Sequence, residues 1–464
     1  MRSPSPLPRR PLAVQLSTAL LWLTGLSPAF FAVVVWARTA PHDAHAVWGQ
    51  PRTEVALTTW RLYAGSGYAA LVVGLALVVV ALALAAGRPD RPRYGGGLLA
   101  AALLMYACPV AAGLLGGHGG AFGWRLWVPP LLVLALWLAP PPSPVRLLRG
   151  VLRVYVWGSL AVFAVFPSWA VTPSFNDNFQ LDWLTPGGRL AGLTNHPIGL
   201  GVLAALAVTV EFAPAYRTRR WQLHCAAAAL VLVMSQSRTA WLAAALGLPL
   251  LYRREAVRRV HPVLVRSLAA GTALCAALLV PGVLERAGTL WDSDEITTLH
   301  GRTVPWQVAL TAFRDNVWVG YGPELFFDRA SPNRGAFDHA HNQLFQTLGT
   351  SGLLGAAGLA LFAAAVVLFA ARGARVTSGL TWCVALTTVV LCVPEAPLRG
   401  SGFSPYQLLA VTLFVVLCDA ARARAELATA TVRVPQPART PESTPVPAAT
   451  TPGLTGPPQP RSDR

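Results

Sequence analysis

The chain has 464 residues, of which 54% are hydrophobic and 12% charged, and its mean hydropathy is +0.49. That is too apolar for a soluble globular domain, so the sequence reads as an all-α polytopic membrane protein. Its formal charge of +17 comes from arginines scattered between apolar runs, with no continuous basic face, which argues against nucleic acid as a partner.

In chain order, apolar stretches of the length that crosses a bilayer as a helix recur near 13–36, 65–87, 95–117, 121–139, 150–167, 197–215, 221–237, 238–252, 266–285, 351–371, 377–394 and 403–421. About twelve transmembrane helices are therefore expected. The first run follows Arg2, Arg9 and Arg10 as a signal peptide would, but it is too long for an h-region and reads as a retained span. Only "SQSR" separates the seventh run from the eighth. Residues 1–421 form the membrane domain in this reading, and the Pro/Thr/Ala-rich segment 422–464 is expected to be a disordered cytoplasmic tail. The six cysteines all lie inside apolar runs without CxxC spacing, so neither a disulfide framework nor a zinc site is indicated.

Arginine near span ends stays cytoplasmic. With the N-terminus inside, the short inner segments hold 21 arginines against 12 on the other side, so both termini are expected in the cytoplasm. Three longer segments then face outward, near 37–64, 168–196 and 286–350. The last is a large extracytoplasmic loop, in which "GRTVPWQVALTAFRDNVWVGYG" reads as a short interfacial helix. Thr303 is its expected N-cap and Pro305 sits in its first turn. Trp306, Leu310 and Phe313 share a face, and Gly320 and Gly322 end it in a turn.

The loop closes on "DHAHNQLFQTLGTSGLLG", where Asp338, His339 and His341 stand against an apolar run. Such a pair of histidines can cap a helix, ligate a metal, or move a proton. The sequence offers no evident third and fourth metal donor, and no metal or cofactor is expected. Arg238, at the outer end of the eighth span with Leu242 one turn below, either snorkels or anchors a phosphate, and Arg302 before the loop helix offers the same choice. In "GGRLAGLTNHPIGLG", Arg189 is a further candidate for a phosphate or sugar contact, whereas Asn195 and His196 read as turn residues.

In this order, "GRLAGLTNHPIGLG", "SQSRTAWLAAALG", "GRTVPWQVALTAFRDNVWVGYGP" and "HAHNQLFQTLGTSGLLG" resemble the O-antigen ligase and polymerase superfamily of bacterial membrane glycosyltransferases, over about residues 185–360. The most specific match is His341 and Asn342, nine residues, Gly352, two residues and Gly355. The resemblance implies transfer of a glycan from an undecaprenyl-diphosphate donor to an acceptor glycan, lipid or protein, on the outer face of the cytoplasmic membrane, without a metal. It also implies Arg238 and Arg302 as holders of the diphosphate and His341 as the catalytic base; beside these, Asn342, His339, Asp338 and Arg189 are candidate supporting residues. Many relatives carry an acidic residue where this chain has Thr350, and Asp338 is the candidate replacement. The alternative is a multi-pass transporter of an envelope precursor or small anion. That alternative predicts polar residues near the bilayer midplane in two repeated halves, and no internal repeat is visible.

Overall fold

The structure is a computed structural model that describes residues 12–38, 74, 94–116, 124–172, 184–194, 196–213, 219–252, 303–326, 339–400 and 404–432. These form twelve helices and one small ladder. The helices are α1 (Leu12–Arg38), α2 (Gly96–Gly116), α3 (Trp124–Leu138), α4 (Pro144–Val165), the single turn α5 (Pro167–Ala170), α6 (Pro197–Phe212) and α7 (Trp221–Met234). They continue with α8 (Arg238–Tyr252), α9 (Thr303–Asp315), α10 (Gln343–Gly373), α11 (Leu380–Cys392) and α12 (Pro405–Val432). Strands β1 (Val171–Thr172) and β2 (Arg189–Leu190) pair antiparallel, Thr172 opposite Arg189. By length and composition, α2, α4 and α10 are apolar enough to cross a membrane, and several shorter helices are as apolar.

The expected spans near 65–87 and 266–285 lie outside the described residues, apart from Gly74. The others appear as helices with shifted ends, each for a local reason. The fifth starts earlier, at Pro144, because a proline in the first turn loses no hydrogen bond and Leu148, Val151 and Leu152 bury one face of "VRLLRGVLR". The tenth starts at Gln343, where Asn342 caps it. The twelfth runs through Val432, past the 421/422 boundary, because "ARARAELATATV" is rich in strong helix formers.

Helix α6 is the hub. Almost every residue from Pro197 to Phe212 is buried, and it packs against α4, α7, α8 and α11. An all-round apolar helix is stable only with neighbours on every side. Small residues bring those neighbours close. A Cβ on Gly199 would stand 2.8 Å from Pro405 Cγ, and one on Gly201 would stand 2.6 Å from Ser237 Cβ. The charged Glu211 is 2% exposed on its side chain and is matched from α4 by Arg153, whose Nε and Nη2 donate to its two oxygens at 2.5 and 2.9 Å.

Two helices carry breaks that the packing repairs. In α1, Pro28 has no N–H to give to Thr24 O, and Ser27 Oγ donates to that carbonyl at 2.8 Å instead. Beside it the Tyr155 hydroxyl from α4 inserts between Gly25 O and Ala29 N, donating at 2.8 Å and accepting at 3.2 Å. In α10, Gly352 has φ 56° and ψ −150°, so the helix breaks there. The freed groups bond to the 317–322 turn: Leu353 N donates to Val317 O and Leu354 N to Trp318 O, while Gly349 O accepts from Tyr321 N and Thr350 O from Gly322 N. A Cβ on Gly352 would lie 2.5 Å from the Trp318 carbonyl carbon, which explains the motif glycine.

Helix α9 exists as the sequence predicts, with one correction. Its buried face is Pro305, Ala309 and Ala312, laid against α10 where a Cβ on Gly349 would meet Ala309 Cα at 2.8 Å. Trp306, Leu310 and Phe313 are only partly buried, because close helix contact needs small residues and the larger ones flank it. Thr303 is already helical, so it is not the N-cap.

Candidate active site

Six of the described helix ends gather at one end of the bundle. The α7–α8 turn, Ser235–Gln236–Ser237, is buried and faces Gly201 near the start of α6. The first turn of α6 also touches Pro405, which opens α12. The segment between α11 and α12 is clamped to the start of α10: Asn342 Nδ2 donates to Val393 O at 2.8 Å, and Leu398 N donates to Gln343 Oε1 at 2.9 Å. Almost all the described candidate residues fall on these ends and turns.

His339, His341 and Glu395 form the core of the site. His339 Nε2 donates to Glu395 Oε2 at 2.9 Å, and His341 Nδ1 lies 3.6 Å from the same oxygen. The two imidazoles are 4.0 Å apart between centroids. Glu395 and His339 are buried, with side chains 3% and 7% exposed, while His341 is 28% exposed. Burial alone would raise the Glu395 pKa, but the hydrogen bond from His339 and the close approach of both imidazoles hold it well below the ordinary carboxylate range. The group therefore stands as a carboxylate. His341 Nδ1 is itself buried and makes no hydrogen bond. Its backbone is left-handed, φ 49°, a conformation uncommon outside glycine, and its neighbours hold it there. Those neighbours are Asn342, whose Oδ1 caps α10 by accepting from Phe345 N at 3.0 Å, and Gln346, whose Oε1 accepts from Ala340 N at 2.8 Å.

Glu395 was not among the residues singled out from the sequence. It lies in "VPEAPLR", far from the histidine motif and with no local pattern of its own. One signal pointed to it: it is the only acidic residue between 339 and 418. It also revises two expectations. A third metal-type donor does exist, since one ligand atom from each of His339, His341 and Glu395 lies within 4.8 Å of the others. And a carboxylate meets the histidines from Glu395, whereas Thr350 is buried with its Oγ1 donating to Gln346 O at 2.7 Å. Asp338, the replacement expected from the sequence, lies outside the described residues.

The second group is a pair of guanidinium ions. Arg189 is fixed by the β1–β2 ladder, and its Nε donates to Ser235 O at 3.2 Å. Arg238 opens α8 just beyond that turn. Burial, and then the charge of Arg238, push Arg189 down to about 10. Two cations held this near each other form a site that favours an anion. Arg302 and Asn195 lie outside the described residues. His196 caps α6, its Nδ1 accepting from Ile198 N at 3.2 Å, as a turn residue does.

Residues 223–360 match the family model described as O-antigen ligase. The match holds Arg238, Arg302, His341, Asn342, Gly352 and Gly355, and it stops short of Glu395. No curated protein matches the chain.

Proposed function

We propose, on the support of the match of residues 223–360 to the O-antigen ligase family model, that this chain is a membrane glycan transferase that moves a glycan from an undecaprenyl-diphosphate donor to an acceptor hydroxyl at the outer surface of the cytoplasmic membrane. The observation that carries this reading is the contact of His341 with the ionised Glu395 at the bundle end that also carries the Arg189 and Arg238 pair. The donor's isoprenoid stays in the bilayer, so its diphosphate reacts at the mouth of the helices.

In this mechanism Arg238 and Arg189, with Arg302, hold the diphosphate. As the bond from the anomeric carbon to the phosphate oxygen breaks, its electron pair leaves with the diphosphate, and the guanidinium ions stabilise the growing charge. His341 takes the proton of the acceptor hydroxyl on Nε2, the nitrogen turned away from Glu395. Glu395 orients the ring and balances the imidazolium, and His339 fixes Glu395. General base action of this kind contributes on the order of 10²–10⁴-fold. Attack opposite the leaving group inverts the anomeric centre. No step needs a metal.

The test is glycan profiling of a deletion strain complemented with wild type or His341→Ala. Loss of finished glycan with accumulation of undecaprenyl-diphosphate oligosaccharide in the deletion and the variant is the expected result. Single repeats accumulating would assign a polymerase, and long unattached chains a ligase. Full restoration by His341→Ala, with the variant inserted at wild-type level, would remove the histidine from the chemistry.

A further inference from the structure

We propose that His339, His341 and Glu395 also bind a divalent cation of the zinc type, and that its binding silences the transferase; the silencing rests on His341 acting as the base, whereas the binding does not. Three donors converge here, two imidazole nitrogens and one carboxylate oxygen. Zinc bonds to such ligands are about 2.0–2.2 Å, so the edge of a tetrahedral zinc site is roughly 3.4 Å. The two edges at Glu395 Oε2 are 2.9 and 3.6 Å, on either side of that value. A set of two imidazoles and one carboxylate suits zinc or its transition-metal neighbours, and it is too poor in oxygen for magnesium or calcium.

A second observation concerns His341 itself. Its Nδ1 is buried beside the Glu395 carboxylate and has no hydrogen-bond partner, although a buried polar atom is nearly always satisfied. A cation there would use its lone pair. The exposed edge of His341 gives the ion an entry path and leaves a fourth position for water. On binding, the cation replaces the proton of His339 Nε2, which passes to solvent. His341 coordinates through Nδ1, so its own ring proton resides on Nε2. The lone pair that would accept the acceptor's proton is then absent. Binding and base catalysis are mutually exclusive for a stoichiometric reason, with no change of fold.

The experiment uses untagged full-length protein in lipid nanodiscs, stripped with a chelator and titrated with Co²⁺ as a spectroscopic probe and with Zn²⁺ in competition. One cation per chain is expected, with visible absorption typical of a four-coordinate site. Glu395→Gln and, as a second variant, His341→Asn are expected to weaken binding at least about tenfold. Zn²⁺ is also expected to stop glycan transfer and a chelator to restore it in full. Absence of saturable binding, or binding unchanged in both variants, would overturn the site. Tight binding that leaves wild-type transfer untouched would overturn the silencing. Because binding is read without substrate, an active His341→Ala would refute the base and leave the cation site standing.

Discussion

At the scale of single residues, the site depends on a carboxylate that recruits two imidazoles and on two arginines that tolerate each other. Replacing Glu395 by Gln removes the charge that orients His341, so turnover is expected to fall about 10²-fold or more while protein level stays near wild type, measured as transfer per inserted protein. Arg189→Ala removes one of two cations from the anion site and is expected to raise the KM for the lipid donor roughly 10–100-fold, the equivalent of a charged hydrogen bond. Arg189→Lys should recover part of that loss, and an unchanged KM for Arg189→Ala would exclude it from the donor site. His341, Asn342 and Arg238 were legible because their spacing is local and helix-bound. Glu395 was not, because its role depends on a tertiary clamp through Asn342 and Gln343 that no linear spacing encodes.

At the scale of elements, α10 is two helical segments joined at Gly352, and the break is where the 317–322 turn plugs in. Gly352→Ala puts a side chain into a glycine conformation and against the Trp318 carbonyl, with strain alone of roughly 1–3 kcal/mol. A clear drop in thermal stability in detergent is expected, whereas Gly96→Ala, with its nearest contact at 3.9 Å, should be silent. Equal stability of the two variants would refute the plug. The sequence revealed most helices through hydropathy, and it marked the α7–α8 turn at "SQSR". It misjudged starts such as Pro144 and Gln343, where caps and packing extend a helix beyond its apolar run. It also oriented α9 by its largest apolar side chains, although close approach to Gly349 requires Ala309.

At the scale of the whole molecule, α6 ties the bundle together, and its one buried charge is held by Arg153. Glu211→Ala leaves Arg153 unpartnered by its carboxylate and is expected to cost about 3–5 kcal/mol, read as a lower unfolding midpoint. Converting both residues to Leu should return much of it, and a double variant no better than Glu211→Ala would show that the pair does more than neutralise itself. Sidedness is tested by cysteine labelling. Trp318, 73% exposed in the turn that packs on the α10 break, and Arg372, at the far end of α10, should react with an impermeant maleimide from opposite faces when changed to Cys. Reaction of both from one face would reject the proposed orientation. Cys275, Cys392 and Cys418 are replaced first, since among the described cysteines only Cys108, Cys225 and Cys383 are buried.

The position of Glu395 after α11 also has a consequence for biogenesis. A chain made from its N-terminus brings Arg189, Arg238 and the histidines to the membrane before the carboxylate that, in the proposed mechanism, orients His341. On that mechanism the nascent protein carries its histidine motif and its arginines before it has the partner of its base. The closing step of insertion would then also be the moment of switching on, and a chain stalled before residue 395 is expected to be inert in the bilayer.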